Sequence, residues 1–161
     1  MTETNLSLYS VGTLTGEEAR EAVAWRYGSE YAVYNFPDWA ECAARGWSIT
    51  DAAKRENAYF SVRYAGSFLG FFHIMDRPGH VELGVGIKPE LCGQGHGYAL
   101  MKSALETIRQ TRGHTPVQLA VRTFNTRAVR CYERAGFTIT DKRYEDLGTA
   151  PGEMYIMQAA V

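Results

Sequence analysis

The sequence predicts an α+β fold in which a mixed, mostly antiparallel central sheet is flanked by helices. First, two alternating runs, residues 57–64 and 67–75, flank a turn at 65–66, a pattern typical of a β-hairpin. Second, residues 80–136 give a strand, a long amphipathic helix, a second strand and a second helix in that order. Third, two more alternating runs close the chain.

The N-terminal half contains a short strand, a helix and an aromatic segment before the hairpin. Residues 6–11 alternate between apolar and polar side chains and predict a strand. Residues 15–27 predict a helix, because Thr15 is a favourable N-cap and acidic residues follow it in the first turn. Residues 27–53 are rich in aromatic side chains and are expected to form two helical pieces.

The second half is predicted from periodicity and from helix-end signals. The helix expected at 97–112 has apolar side chains that share one face: Leu100, Met101, Ala104, Leu105 and Ile108. The helix expected at 125–136 begins at the cap Asn125 and stops at Gly136. The remaining strands are expected at 80–87, 116–121, 137–144 and 153–159.

Length and charge limit the classes of function. The chain has 161 residues, which is most simply one domain over residues 1–161. Apolar residues make up 45% and charged residues 22%, an ordinary composition for a globular protein. The formal net charge is -1, so no global field attracts nucleic acid, and an anionic ligand has to be held by a local site.

The cysteines and the N-terminal residues predict a cytoplasmic protein. Three widely spaced cysteines without a CxxC pair are typical of reduced thiols, not of disulfides or a zinc site. The histidines lack HExxH spacing, and no metal is expected. The N-terminal residues are polar, and no apolar run approaches the length that spans a membrane, so no membrane association is expected.

A glycine-rich stretch, PELCGQGHG at residues 89–97, lies between a predicted strand and a predicted helix. Such a loop turns its backbone N–H groups and the helix dipole toward one point, where an anion such as phosphate binds. The stretch lacks the Gly-Lys-Ser/Thr of a P-loop, and a dinucleotide fingerprint needs glycine where Tyr98 stands. A turn that only connects two elements is the alternative.

Two motifs carry a resemblance to a known family. The first is VELGVGIKPELCGQGHGYALM, which is similar to the cofactor signature R/Q-x-x-G-x-G/A. The second is LAVRTFNTRAVRCYERAGF, which contains the pattern Asn-x-x-Ala-x-x-x-Tyr-x-x-x-Gly-Phe as Asn125, Ala128, Tyr132, Gly136 and Phe137. Together they cover residues 80–137 and resemble the GNAT superfamily of N-acetyltransferases, whose order of elements the rest of the chain also fits.

The resemblance implies a GNAT fold and acetyl-coenzyme A as cosubstrate, with its pyrophosphate on the glycine loop. Backbone N–H groups would make most of these contacts. Binding is therefore expected to survive the departure at Cys92, where the family usually has Arg or Gln. The implied contact residues are Cys92, Gly93, Gln94, Gly95, His96, Gly97 and Tyr98.

The strand before the loop has Glu82, Gly84 and Gly86 on one face, where two absent side chains leave a groove beside a carboxylate. The resemblance implies that the backbone of Val85, Gly86 and Ile87 pairs with the pantetheine arm. It also implies that Glu82 accepts the proton of an attacking amine. A carboxylate that is merely solvated, or that binds a cationic substrate, is the alternative.

Asn125 and Tyr132 are seven residues apart and share a face of the predicted helix. The resemblance implies that Asn125 satisfies backbone or cofactor amides and that the Tyr132 hydroxyl reaches the coenzyme sulfur and stabilises the thiolate that leaves. A core-filling tyrosine is the alternative. Arg127 and Arg130 are expected to be exposed cations, with contact to the coenzyme's phosphates as the alternative.

The acceptor is expected to be a small primary amine, with a peptide or protein amine next. Residues 26–47 are rich in aromatic side chains and also contain Asp38 and Glu41. These side chains could surround a bound amine, and the alternative is that they pack two helices together. A non-catalytic domain that binds or senses an acyl-coenzyme A is the competing class. The missing third glycine argues against a dinucleotide-dependent oxidoreductase. The sequence leaves a homodimer through the closing strands open.

Overall fold

The computed structural model describes residues 5–146 and 151–161, and within them seven strands form one sheet in the order β1-β2-β3-β4-β5-β7-β6. The strands are β1 (Tyr9–Thr13), β2 (Tyr59–Tyr64), β3 (Ser67–Arg77), β4 (His80–Ile87), β5 (Pro116–Arg122), β6 (Thr138–Asp146) and β7 (Pro151–Ala160). The helices are α1 (Gly16–Ala24), α2 (Trp39–Ala44), α3 (Ala52–Arg55), α4 (His96–Arg112) and α5 (Thr126–Arg134). β4 pairs with β5 in parallel, whereas β1–β2, β2–β3, β5–β7 and β6–β7 are antiparallel, which confirms the predicted fold class.

The chain divides into two compact units. The N-terminal unit contains residues 5–73 and 85–92, and the C-terminal unit contains residues 74–84, 93–146 and 151–161. Strands β3 and β4 therefore contribute residues to both units. The expectation of one domain over residues 1–161 stays a prediction.

The N-terminal unit has an apolar core of its own. Its buried members are Leu14, Ala19, Ala22, Val23, Trp25, Cys42, Ile49, Tyr59 and Phe71. Trp25 stacks on Phe68 with ring centroids 5.4 Å apart, and its indole N–H donates to Glu21 at 3.1 Å. The largest side chain of this core is thus buried with its polar atom satisfied.

Two predicted elements of this unit differ from the structure in extent. The strand predicted at 6–11 begins only at Tyr9, because the Asn5 side chain accepts the Ser7 N–H at 3.1 Å and starts a 3-10 turn over Leu6–Leu8. Such local side-chain bonds compete with a strand. The segment 27–53, expected to be helical in two pieces, contains four short ones: 3-10 turns at Ser29–Tyr34 and Ser48–Thr50, α2, and the start of α3.

The first turn of α1 is joined to β2 by one carboxylate. Thr15 and Glu18 form a capping box, in which the Thr15 hydroxyl accepts the Glu18 N–H at 3.1 Å and Glu18 accepts the Thr15 N–H at 3.0 Å. The same carboxylate accepts the Ser61 hydroxyl at 2.7 Å and pairs with Arg63 at 2.9 Å. Burial disfavours its charged form, but these hydrogen bonds and the Arg63 charge outweigh burial and lower the pKa of Glu18.

Strands β3 and β4 approach closely at one glycine of the N-terminal unit. A Cβ atom on Gly86 would lie 2.6 Å from Cε1 of Phe71, whose side chain is almost fully buried. This separation is well below a normal carbon–carbon contact, so the ring fills the space that a side chain at this position would need. The groove predicted from the absent side chain is therefore occupied by Phe71 at this point of the strand.

The C-terminal unit is built on α4 and the strands β5, β7 and β6. β5 pairs with β7 along its full length, from Pro116 opposite Ala160 to Arg122 opposite Met154. One face of α4 is buried, and it contains the five residues predicted from periodicity and, in addition, Ala99. Among the helices of residues 5–146 and 151–161, none is long and apolar enough to cross a membrane.

Glu18→Gln is expected to lower the free energy of unfolding at pH 7 by about 1–3 kcal/mol, because charge-assisted hydrogen bonds are lost. Since the folded pKa of Glu18 is lowered, the carboxylate contributes fully above its unfolded pKa of about 4.3 and ceases to contribute as the pH falls through the folded value. Wild type should therefore lose more stability than the variant below about pH 5. Urea unfolding across this range measures the difference, with the exposed Glu17→Gln of the same turn as control, and parallel pH profiles would contradict it.

Gly86→Ala is expected to destabilise the fold by about 1–3 kcal/mol, because the Phe71 ring has to leave its position. Gly28→Ala is the matched control: φ at Gly28 is -97°, which alanine adopts readily, and no described heavy atom lies within 4 Å of the added Cβ. Thermal unfolding compares the two variants with wild type. Equal midpoints for Gly86→Ala and Gly28→Ala would mean that the ring does not constrain this position.

Candidate active site

The glycine stretch forms a tight loop that leads into α4 at His96. Gly93 and Gly95 have φ values of +76° and +85°, in the left-handed region that favours glycine. Gly95 is the N-cap residue of α4 and brings no side chain to the N–H groups of the first turn. The loop thus presents backbone donors at the positive end of a helix of 17 residues.

Two arginines of α5 lie against this loop and the first turn of α4. Nη1 of Arg127 is 3.4 Å from the position that a Cβ on Gly93 would take. The guanidinium carbon of Arg134 is 4.2 Å from the centroid of the Tyr98 ring, which is a cation–π contact. The start of α4 therefore lies in a positively charged part of the C-terminal unit.

Helix α5 is defined at both ends by residues of the second motif. Asn125 caps the helix, as predicted, and its Oδ1 accepts the Ala128 N–H at 3.2 Å. Gly136 follows the helix with φ +108°, and the Phe137 N–H donates to the Tyr132 carbonyl at 3.0 Å. The rings of the half-buried Tyr132 and the buried Phe137 are 6.3 Å apart. The Gly-Phe pair of the motif thus ends the helix and anchors Tyr132.

Glu82 lies where β4 pairs with β5, opposite Gln118. Its carboxylate forms an ion pair with Arg77 at 3.4 Å and lies 3.9 Å from Nε2 of His80. The second distance is too long for a hydrogen bond, and this buried nitrogen has no hydrogen-bond partner among the described residues. The Glu82 side chain is 35% exposed, so solvent reaches the carboxylate, whereas this nitrogen of His80 is buried.

The neighbours of Glu82 were missed by sequence reasoning, although one of them left a signal. His80 and Glu82 are two residues apart on a strand, a spacing that turns both side chains to the same face. Arg77 reaches Glu82 across the turn between β3 and β4, where Gly79 has φ +80°. The pairing of Arg77 with Glu82 depends on where this turn begins and ends, which the sequence does not fix.

The last residue of β4 is held by a tyrosine from a distant part of the chain. The Tyr27 hydroxyl donates to the Ile87 carbonyl at 2.6 Å. Asn35 fixes the backbone of Tyr27 from both sides, since it accepts the N–H at 2.7 Å and donates to the carbonyl at 3.3 Å. Burial, with a smaller effect from Cys92 and Glu90, raises the pKa of Tyr27 well above its usual range, so the hydroxyl stays a donor.

Cys92 follows the 3-10 turn at Pro89–Leu91. Its Sγ lies 3.6 Å from the Lys88 carbonyl and 3.8 Å from the Ile87 carbonyl, within range of weak thiol hydrogen bonds. The thiol therefore contacts the backbone of the segment that precedes it.

The aromatic segment before β2 packs within the N-terminal unit. The guanidinium of Arg20 lies over the Trp39 ring, 4.3 Å from its centroid. The two acidic residues expected to frame an amine have structural partners instead. Asp38 caps α2 by accepting the Glu41 N–H at 2.9 Å, and Glu41 pairs with Arg45 at 2.6 Å. Both carboxylates therefore have a role within the fold that does not depend on a ligand.

The predicted site residues fall in both units. The C-terminal unit holds Glu82, Gly93, Gln94, Gly95, His96, Gly97, Tyr98, Asn125 and Tyr132. The N-terminal unit holds Val85, Gly86, Ile87 and Cys92. Their roles toward a cofactor stay predictions, whereas the cap at Asn125 is confirmed.

Known proteins match most of the chain. The model of the family described as Acetyltransferase (GNAT) family matches residues 17–137. Mycothiol acetyltransferase from Salinispora tropica is 37% identical over 105 residues, which cover 56% of this chain and 34% of that protein. The chain therefore spans about a third of the length of this curated relative.

Solved structures share the fold. A chimera of the spermidine N-acetyltransferase SpeG from Vibrio cholerae and hSSAT has a TM-score of 0.71 at 19% identity, over 94% of this chain and 95% of that chain. The protein yncA from Salmonella typhimurium, solved with its cofactor acetyl-CoA, has a TM-score of 0.64 at 16% identity, over 94% of this chain and 92% of that chain. At such identities the likeness concerns the fold alone.

Proposed function

Because the chain belongs to the GNAT family of acetyltransferases, we propose that it transfers an acetyl group from acetyl-coenzyme A to a primary amine by direct attack. The glycine loop is the observation that carries the proposal. Left-handed glycines lead into a helix whose N-cap has no side chain, and a guanidinium lies 3.4 Å from the Cβ position of Gly93. Backbone donors, a helix dipole and a cation in one place suit a pyrophosphate.

Acetyl-coenzyme A supplies an activated acetyl thioester, and its pyrophosphate is the group by which the loop would hold it. We assign the pyrophosphate to the loop and the first turn of α4: Cys92, Gly93, Gln94, Gly95, His96, Gly97 and Tyr98. We assign the pantetheine arm to the backbone of Val85, Gly86 and Ile87. The Ile87 carbonyl already accepts the Tyr27 hydroxyl and has the Cys92 thiol 3.8 Å away, so a ligand contact to this carbonyl would compete with the thiol.

We assign to Tyr132 the donation of a hydrogen bond to the leaving thiolate. Phe137 packs against its ring and Asn125 caps its helix, so the hydroxyl is carried by a fixed element. A thiol with a pKa of about 8.5 leaves as an anion, and a nearby O–H donor stabilises the charge that develops on sulfur. Full proton transfer from a phenol of pKa about 10 is uphill by roughly 2 kcal/mol on these references, so hydrogen bonding is the larger effect.

We assign to Glu82 the acceptance of the amine proton. An alkylammonium group has a pKa of about 10.4 and does not attack until it loses a proton. A carboxylate takes that proton directly or through water as attack proceeds. Arg77 pairs with the carboxylate at 3.4 Å, and the side chain is 35% exposed, so water can carry the proton to bulk solvent. The alternative role for Glu82, binding a cationic acceptor, uses the same negative charge.

The acceptor that we propose is a small primary amine, with a peptide or protein amine as the alternative. The names of one relative and one structural neighbour denote small molecules, mycothiol and spermidine. The Trp39 ring does not carry this choice, because the guanidinium of Arg20 already lies over it. Asp38 and Glu41 do not carry this choice, because each has a structural partner.

Acetyl-coenzyme A is expected to raise the thermal midpoint of the protein, whereas NAD is not. A ligand at 100 times its Kd adds about 2.7 kcal/mol to the free energy of unfolding. For a domain of this size that corresponds to roughly 5–11 °C. Thermal scans with each ligand measure the effect. No shift with acetyl-coenzyme A, or an equal shift with NAD, would sink the proposed donor.

Tyr132→Phe is expected to lower turnover by about tenfold or more and to leave the Kd for acetyl-coenzyme A near that of wild type, because the hydroxyl acts on the leaving group. Tyr144→Phe, at a position that is 76% exposed, is the matched control. Turnover is followed as release of coenzyme thiol with a mixture of primary amines. Unchanged turnover in Tyr132→Phe would refute its role, and wild-type binding without thiol release would favour a non-catalytic acyl-coenzyme A-binding domain.

A further inference from the structure

The Ile87 carbonyl, the last one of β4, is bonded by a side chain. The Lys88 N–H donates to the Leu69 carbonyl of β3 at 2.9 Å. In a trans peptide the N–H and the carbonyl before it point in opposite directions, so the Ile87 carbonyl points away from β3. On that side it accepts the Tyr27 hydroxyl at 2.6 Å. The tyrosine therefore occupies a place where a neighbouring strand would bond this carbonyl.

The edge of β4 that faces away from β3 has little strand pairing. Among the described residues, β4 pairs with β5 at Val81 and Glu82 alone, opposite Val117 and Gln118. These pairs lie in the first half of the strand, whereas residues 85–87 form its end. An extended ligand with amide groups can bond a strand edge as another strand would, through backbone donors and acceptors. The pantetheine arm of coenzyme A contains two such amides.

We infer that Tyr27 is a positioning residue for the coenzyme, because its hydroxyl fixes the Ile87 carbonyl and with it the backbone edge that binds the pantetheine arm. The inference rests on the proposed function and deepens it, since it adds a residue that lies outside both sequence motifs. Tyr27 acts through β4 and not on the reacting atoms. A strand end that is already ordered loses little conformational entropy when the arm binds.

Tyr27 is itself held in place by Asn35, eight residues further along the chain. The Asn35 side chain accepts the Tyr27 N–H at 2.7 Å and donates to the Tyr27 carbonyl at 3.3 Å. The Asn35 N–H donates to the Ala32 carbonyl at 3.0 Å, at the end of the 3-10 turn over Ser29–Tyr34. Burial raises the pKa of Tyr27, so its hydroxyl remains a donor at neutral pH. The backbone and the hydroxyl of Tyr27 are therefore both suited to hold a carbonyl.

A second contact reaches the residue after Ile87, but it restrains the backbone less. The Lys88 ammonium lies 3.4 Å from the carboxylate of Glu21 in α1, and the two side chains are 31% and 44% exposed. Such an ion pair contributes little, because water competes for both charges. It also holds the end of a flexible side chain, whereas the Tyr27 hydroxyl bonds the backbone itself. Tyr27 is therefore the residue whose loss should affect the strand edge.

Calorimetric titration with acetyl-coenzyme A and with 3′-phosphoadenosine 5′-diphosphate tests the inference, because the second ligand keeps the phosphates and lacks the pantetheine arm. Tyr27→Phe is expected to weaken the binding of acetyl-coenzyme A by about five- to tenfold, since the arm then has to order the Ile87 carbonyl. The affinity for the nucleotide should stay within about twofold of wild type.

Two further variants sharpen the comparison. Asn35→Ala is expected to cause the same selective loss by a smaller factor, because it releases the backbone of Tyr27 but leaves the hydroxyl. Tyr64→Phe is the matched control, at a position of the same unit that is 36% exposed. Both affinities of this control should stay within about twofold of wild type.

The outcomes separate this inference from the function on which it rests. Equal losses for both ligands in Tyr27→Phe would mean that the hydroxyl only supports the fold. An unchanged or tighter affinity for acetyl-coenzyme A would mean that the hydroxyl does not position the strand edge for the arm. Either result would overturn the inference and leave the proposed function intact, whereas a wild-type protein that binds neither ligand would overturn both.

Discussion

The candidate site depends on a backbone constraint, the two left-handed glycines ahead of α4. With φ of +76° and +85°, Gly93 and Gly95 let the chain turn into α4 without any side chain over the first N–H groups. Most other residues are strained in this conformation, and a Cβ at 93 would touch the end of the Arg127 side chain. Backbone shape, more than the side chain of Cys92, therefore determines which N–H groups this loop leaves uncovered.

The end of β4 is restrained by side chains as well as by strand pairing. The Phe71 ring lies against Gly86, the Tyr27 hydroxyl donates to the Ile87 carbonyl, and the Lys88 N–H donates to a carbonyl of β3 at 2.9 Å. Three consecutive residues are thus held from different directions. Because this segment has little conformational freedom, it is preorganised. The segment would therefore lose little conformational entropy when a ligand binds along it.

The features that the sequence predicts well are those whose determinants are close together in the chain. Thr15 and Asn125 are identifiable as caps because each bonds a backbone N–H three residues on, and the buried face of α4 follows from its period. The hydrogen bond from Tyr27 to Ile87 joins residues that are 60 positions apart, so no local sequence pattern predicts it. The groove predicted at Gly86 is filled by the Phe71 ring. A glycine in the sequence indicates that a side chain is absent, but it does not indicate whether a ligand or a neighbouring side chain fills the space.

The contact between Gly86 and Phe71 couples these two positions, so the effect of a substitution at one depends on the residue at the other. A larger residue at 86 is accepted only after the ring at 71 has been replaced, because the opposite order passes through a clash. Replacement of the ring first leaves a cavity, which is also unfavourable. Both single substitutions are therefore expected to lower stability, whereas a paired change at 71 and 86 avoids both the clash and the cavity.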